Sequence, residues 1–178
     1  MYYEEEYESP LGKLRLIGSA DAILGLYPAG EGPKIPLSEI YAGKSGILRA
    51  AAEWLDAYFA GERPDIGMLP LRPEGTEFQK LIWRLLCGIP CGKVTSYGQI
   101  AREAAEIMGR ERMSAQAVGN AVGRNPISII IPCHRVLGSK GELTGYRWGP
   151  DMKLFLLKHE GADISKLRVP KTGRAGGR

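Results

Sequence analysis

The chain has 178 residues, enough for one large domain or two small ones with a real core. Its composition is that of an ordinary globular protein, and no apolar run approaches a membrane span. The net charge of +4 hides an asymmetry: residues 1–70 hold 6 Lys/Arg against 11 Asp/Glu, and residues 71–178 hold 18 against 9. Such a split points to a polyanion meeting the second half, although five of its charges (Lys166, Arg168, Lys171, Arg174, Arg178) read equally as a solvated tail. Met1-Tyr-Tyr-Glu-Glu-Glu is acidic where a secretion signal would be basic and then apolar, and three cysteines form no regular framework. The expected location is therefore cytoplasmic, with free thiols.

The first half reads as a small β-meander followed by a helix. Leu14 and Leu16 alternate with Lys13 and Arg15 between turn signals at Pro10-Leu-Gly and Ser19-Ala-Asp, and Ile23 to Tyr27 is the return strand. Pro28 to Pro36 is a loop. Leu48, Ala51, Leu55, Tyr58 and Phe59 recur at helical spacing until Gly61 and Pro64 stop them. Nothing in this half carries evident chemistry, so residues 1–70 are expected to be a scaffold domain, with the proline- and glycine-rich residues 65–76 as linker.

A helix with Phe78, Leu81, Ile82, Leu85 and Leu86 inward follows and ends at Gly88-Ile-Pro-Cys-Gly. Cys87 and Cys91 are spaced C-x3-C. A closed zinc site needs four ligands, and only Cys133 and two histidines remain to complete it, so they are read as structural and no metal is expected. Ser96 with Gln99 forms a capping box that places Tyr97 in the first turn of a short helix. After a charged turn, Ser114 caps another helix whose inward face is Ala115, Val118 and Val122. Its opposite face, Gln116, Gly119, Asn120 and Gly123, has no charge and no large side chain. Two glycines cost that helix on the order of 1 kcal/mol each relative to alanine, which a sequence tolerates when a backbone must come close to something. That something is either a DNA groove or a tight protein–protein or helix–helix contact. Arg124 and Arg135 flank the region and suit phosphate contacts.

Asn125-Pro-Ile-Ser-Ile-Ile-Ile-Pro-Cys-His-Arg-Val leads from that helix. Its β-branched run reads as a buried strand, and Pro126 and Pro132 rule out a helix through it. The run delivers Cys133 from the core with His134 and Arg135 as its next neighbours. Gly138 to Pro150 is a glycine-rich loop that can wall a pocket, with Tyr146 and Trp148 as stacking surfaces. Asp151 to Glu160 is a last helix, Leu154 and Leu157 inward, closed by Gly161. Glu160 alone reads as a solvated helix end, and it is also the carboxylate placed to reach back to His134.

Ile131-Pro-Cys-His-Arg-Val resembles the active-site motif of the O6-alkylguanine-DNA alkyltransferases, the methylated-DNA–protein-cysteine methyltransferases. Ser96-Tyr-Gly-Gln-Ile-Ala101 is similar to a second motif of that family. Ala117-Val-Gly-Asn-Ala with Arg124-Asn-Pro resembles its recognition helix and hinge, and Tyr146 and Lys153 to Gly161 resemble its last loop and helix. Pro10-Leu-Gly-Lys-Leu resembles the opening of its N-terminal domain, so the resemblance runs to about residue 162. It implies an α+β (mixed α/β) fold: a small N-terminal β-meander plus helix domain, and a mostly helical C-terminal domain (71–165) with a winged-helix-like helix-turn-helix, before a flexible basic tail (166–178).

The resemblance also implies roles. Cys133 would accept the alkyl group of O6-alkylguanine, with O4-alkylthymine as a second candidate substrate, irreversibly and once per molecule. His134 would be the base through a water, and Glu160 would orient it. Tyr97 would help turn the nucleotide out of the duplex and donate to the departing guanine, and Asn125 would be the hinge. Gln116, Ala117, Gly119, Asn120, Arg124 and Arg135 would meet double-stranded DNA in its minor groove. Tyr146, Arg147, Trp148 and Val136 would line the guanine pocket. No cofactor, metal, membrane or obligate protein partner is implied, and the protein would act as a monomer.

The chain departs from the family in three places. Gln116 stands where the family usually inserts an arginine into the base stack. Arg147-Trp148 replaces smaller pocket residues, which implies a different tolerance for bulky adducts, and the structural zinc ligands of some members are missing. A cysteine hydrolase using Cys133 and His134 is the rival from another class, although no glycine-rich oxyanion element flanks the cysteine. A non-catalytic DNA-damage sensor of similar fold would lack that cysteine.

Overall fold

The first residues form a hairpin because alternation and turn chemistry agree. In the computed structural model, which describes residues 1–41 and 43–169, β1 (Tyr3–Ser9) pairs antiparallel with β2 (Gly12–Gly18). Pro10 and Leu11 make the turn, Gly12 takes the φ of 96° that closes it, and Ser9 Oγ accepts from the Leu11 amide. β3 (Ile23–Pro28) completes a three-stranded sheet of order β1-β2-β3. Leu14 and Leu16 of β2 face inward, and α1 (Gly46–Phe59), capped by Ser45, covers them with Leu48, Ala51, Leu55 and Tyr58.

The free edge of β3 does not stay open. Leu71, in the segment expected as linker, bridges Ile23, and the amide of Leu26 donates to Pro126 O as Leu26 bridges Ile127. Both additions satisfy edge groups that would otherwise invite another strand. They also dock the cysteine-bearing stretch on the N-terminal sheet, and one apolar cluster runs from Leu14 through Ile127 and Cys133 to Leu156.

In the second half, α2 (Glu77–Cys87) begins at a complete capping box of Thr76 and Gln79. Trp83, absent from the expected inward set, is buried, and its indole N–H donates to Ala121 O. α3 (Tyr97–Ile107) and α4 (Ala115–Gly123) form the helix-turn-helix, capped by Ser96 and Ser114 as their sequence predicts. Only one side of the Ser96 box is made, because the Gln99 side chain turns to Glu103 and Arg102. α4 buries Val118, Ala121 and Val122, whereas Ala115 is exposed at its first turn. β4 (Thr95–Ser96) and β5 (Val136–Leu137) pair in parallel, and α5 (Pro150–His159) closes the domain with Leu156 and Leu157 inward and Leu154 half-buried.

Ile127–Ile131 is not a strand. All five residues are buried, but they fold into a tight loop in which Ile131 N donates to Ile127 O and Ile130 N to Ser128 O, and Ile129 sits at φ 71°. β-propensity reported the burial of these side chains and not their backbone path. Arg168, in the segment expected as a flexible tail, is hydrogen-bonded to the glycine-rich loop at Gly141 and Leu143. Lys171, Arg174 and Arg178 lie outside the described residues.

Candidate active site and nucleic-acid interface

The tight loop ends in a 3-10 turn, Cys133–Arg135, all three residues of which are buried. Asn125, 2 % exposed, fixes the loop from inside: its Oδ1 accepts from Ile127 N at 3.0 Å and its Nδ2 donates to Ile131 O at 2.8 Å. Burial pushes the Cys133 thiol up, opposed by hydrogen bonds from Asn125 and Ser128 and by the Lys153 charge. The resting group is the thiol, so a base must take its proton.

That base stands next in sequence. His134 is fully buried and its Nε2 lies 2.6 Å from Glu160 Oε1. A carboxylate only accepts, so Nε2 carries the hydrogen and Nδ1 presents its lone pair. Nδ1 has no protein partner. Burial lowers the His134 pKa despite the carboxylate beside it, which keeps the ring neutral and basic.

Glu160 is the junction. Oε1 accepts from His134, from Arg135 Nη2 at 2.9 Å and from Tyr58 OH at 2.8 Å, and Oε2 accepts from Arg135 Nε at 2.9 Å and Gly92 N at 3.2 Å. Burial alone would raise its pKa, but the hydrogen bonds from His134 and Arg135 and the Arg135 charge outweigh it and hold the carboxyl well below the usual carboxylate range. Its position as the C-cap of α5, next to Gly161 at φ 72°, turns it inward.

Arg135 is therefore not a phosphate contact. It is 4 % exposed, paired to Glu160, and its Nη1 donates to Ile89 O at 2.5 Å. The physical reason is the one that buries Glu160: a carboxylate taken from water needs a cation with several donors, and the guanidinium supplies a fork. The exposed basic residues around the helix-turn-helix are Arg102, Arg110, Arg112 and Arg124.

On α4, Gln116 and Asn120 are exposed and Ala117 and Gly119 half-exposed. A Cβ on Gly119 would meet only Tyr97 at 3.8 Å, and one on Gly123 only Gly145 O at 3.7 Å, both ordinary contacts. The interior of the fold leaves room for a side chain at either position. Gly145 differs: it sits at φ 73°, and a Cβ there would collide with the Tyr97 hydroxyl. That hydroxyl donates to Thr144 O at 2.7 Å, and burial pushes its pKa up to about 12.

The glycine-rich loop forms the remaining wall. Tyr146 is 8 % exposed and edge-on to His134, and its hydroxyl and the indole N–H of Trp148 are buried without a protein partner. Arg147 points away, its guanidinium 5.7 Å from the Tyr27 ring and 3.8 Å from Glu31. Val136 is buried and its carbonyl accepts from Lys153 Nζ, which also donates to Thr144 O at 2.8 Å. Lys153 is fully buried with no carboxylate partner among the described residues, and burial lowers its pKa to about 8. Its periodic place on α5 marks it as inward, but lysine in that position gives no sequence signal of burial. Cys87 and Cys91 are free thiols, and among the described residues no group of three or more His, Cys, Asp or Glu is arranged to hold a metal ion.

A helix-turn-helix joined through an asparagine-pinned loop to a buried thiol with its own imidazole–carboxylate relay defines a DNA-binding protein built around a nucleophilic cysteine. The 6-O-methylguanine DNA methyltransferase ribonuclease-like domain matches residues 1–73, and the DNA-binding domain of the same family matches residues 77–162. The methylated-DNA–protein-cysteine methyltransferase of Methanosarcina acetivorans is 43% identical over 162 residues, 91% of this chain and 99% of that protein. The crystal structure of Mycobacterium tuberculosis O6-methylguanine methyltransferase superposes with a TM-score of 0.74 at 38% identity, covering 90% of this chain and 93% of its own. A structure of the M. tuberculosis protein in complex with DNA has a TM-score of 0.73 at 37% identity, covering 89% and 91%. The chain belongs to the 6-O-methylguanine DNA methyltransferase family.

Proposed function

We propose that this protein repairs DNA by direct reversal, moving the alkyl group of O6-alkylguanine in double-stranded DNA to its own Cys133. The observation that carries the reading is the buried Cys133–His134–Glu160 set, its cysteine carried on the Asn125-pinned loop that directly follows the helix-turn-helix. The thiol proton passes through a water to His134 Nδ1, and Glu160 stabilises the imidazolium that results. The sulfur forms a bond to the alkyl carbon as the carbon–O6 bond breaks, its electron pair leaving on guanine. The Tyr97 hydroxyl, released from Thr144 O, donates to N3 of that leaving base. The product is a thioether, which water does not cleave, so each molecule acts once.

The base must first leave the duplex, at an unstacking cost of a few kcal/mol. The small outer face of α4 suits the minor groove, with Gln116, Ala117, Gly119 and Asn120 against it and Arg124 on phosphate. Tyr146, Trp148, Val136 and the backbone at Arg147 wall the guanine pocket. The need for a thiol at Cys133, with Cys87 and Cys91 also free, supports a reducing compartment, the cytoplasm. No described helix is long and apolar enough to cross a membrane.

Incubation with an O6-methylguanine duplex, followed by the mass of the intact protein, tests the reading. One methyl on Cys133, absent in Cys133→Ser, is the expected result; no adduct, or repeated turnover on an ester as a cysteine hydrolase would show, overturns it. A second prediction concerns Gln116, which can fill the vacated stack but brings no charge to it. Gln116→Arg is expected to raise the single-turnover rate on the same duplex severalfold, and an unchanged rate counts against that role.

A further inference from the structure

Tyr58 lies in the last turn of α1, in the half of the chain that holds no reacting group. Its ring is 2 % exposed, stacked on Trp54 with centroids 5.5 Å apart and edge-on to Phe59. Its hydroxyl donates to Glu160 Oε1 at 2.8 Å, the oxygen that also meets His134. A bond runs back the other way. His159 Nε2 lies 2.6 Å from Tyr58 O, and because a carbonyl only accepts, that nitrogen carries a hydrogen. The last turns of α1 and α5 are thus pinned to each other on either side of the relay carboxylate.

We infer that Tyr58 is a positioning residue of the acid–base relay, acting through Glu160, so that the N-terminal half supplies part of the machinery that moves the alkyl group. The inference rests on the alkyl-transfer reading for its consequence in rate, but its physical content is a property of Glu160 and His134 alone. Oε1 divides its charge among three donors, and each donor makes it a weaker acceptor for the others. With the Tyr58 hydroxyl in place, Glu160 orients His134 without drawing it into the imidazolium form. Without the hydroxyl, the same carboxylate favours the protonated ring. The other groups facing His134 are Lys153 from α5, Arg135 and Cys133 from its own turn, and Tyr146 from the glycine-rich loop. Arg135 shares Oε1 with the Tyr58 hydroxyl and takes part in the same redistribution, while the other three make no hydrogen bond to that hydroxyl.

Tyr58→Phe removes the hydroxyl and keeps the ring stack, and Trp54→Phe disturbs the stack and keeps the hydroxyl. The chain has only two histidines, so imidazole NMR resolves His134 from His159 in the full-length protein. In Tyr58→Phe the His134 midpoint should rise by about half a pH unit, about threefold in proton affinity, while in Trp54→Phe it stays. The acid limb of the single-turnover methyl-transfer profile should move up with it. A His134 midpoint unmoved in Tyr58→Phe, or moved equally in both variants, overturns the inference whether or not methyl is transferred. Absence of any methyl on wild-type Cys133 overturns the repair reading, and the titration of His134 still decides the role of Tyr58.

Discussion

Glu160→Gln should destabilise the fold by about 3–5 kcal/mol, because it leaves a buried guanidinium without its counter-charge. Arg135 is packed between Glu160 and Ile89 O, with a side chain 5 % exposed. The amide also places an NH2 group against donors on one side: Arg135 Nε and Gly92 N, or His134, Arg135 Nη2 and Tyr58 OH. Methyl transfer should fall by about 10²-fold or more, since the imidazolium formed on proton transfer loses its stabilising charge. The pH dependence follows from two groups acting with the same sign. The Glu160 contribution is present above its ordinary value of 4.5 and is lost as pH falls through its lower folded value. His134 has a folded pKa below its ordinary 6.5, so the unfolded state binds the proton first and stability drops as pH falls below 6.5. Urea titrations of both proteins between pH 8 and 3 check this. The wild type should weaken from about pH 6.5 downward, with Glu160→Gln lacking the part of the loss below about 4.5. A loss under about 1 kcal/mol at neutral pH would mean that Arg135 finds another partner.

What the chain discloses before folding is local. Ser96 and Ser114 announce their helices through caps that depend on neighbours three residues away, and both are made. Pro10-Leu-Gly announces the hairpin for the same reason. Cys133-His134 is legible because nucleophile and base are adjacent. The misreadings are long-range. Arg135 beside a basic helix looks like a phosphate contact until Glu160, 25 residues on, is seen to take it. Tyr58 looks like one more apolar residue of an amphipathic helix, and its hydroxyl is spoken for by a carboxylate 102 residues away. Helical periodicity says that a side chain points inward and is silent on what it meets there. Ile127–Ile131 fails differently. Its side chains belong to the core as expected, but β-branching cannot report that Asn125 bends the backbone into a loop and holds Ile129 where a β-branched residue seldom goes.

That bend makes Asn125→Ala the second large effect. The substitution leaves Ile127 N buried without its partner and takes from Ile131 O one of its two donors, and an unsatisfied buried group costs about 1–3 kcal/mol, so a loss of about 1–3 kcal/mol is expected in a urea titration. It also frees a loop whose Ile129 conformation is unfavourable by about 1–3 kcal/mol and persists only because its surroundings over-determine it. Relaxation there moves Cys133, because Ile131 O receives both the Asn125 amide and the Cys133 N–H at 2.8 Å. The thiol loses a hydrogen bond that opposes the effect of burial, so its pKa rises further and the thiolate becomes harder to form. Methyl transfer should therefore fall more steeply than binding to an undamaged duplex, since the outer face of α4 does not involve the Asn125 side chain. Asn125→Asp separates the two contributions. It keeps an acceptor for Ile127 N but sets a carboxylate oxygen against Ile131 O and a negative charge beside the thiol, so its rate should be as low as that of Asn125→Ala. If Asn125→Asp instead transfers methyl at the wild-type rate, the asparagine is not holding the cysteine, and the helix-turn-helix and the thiol are coupled by some other part of the loop.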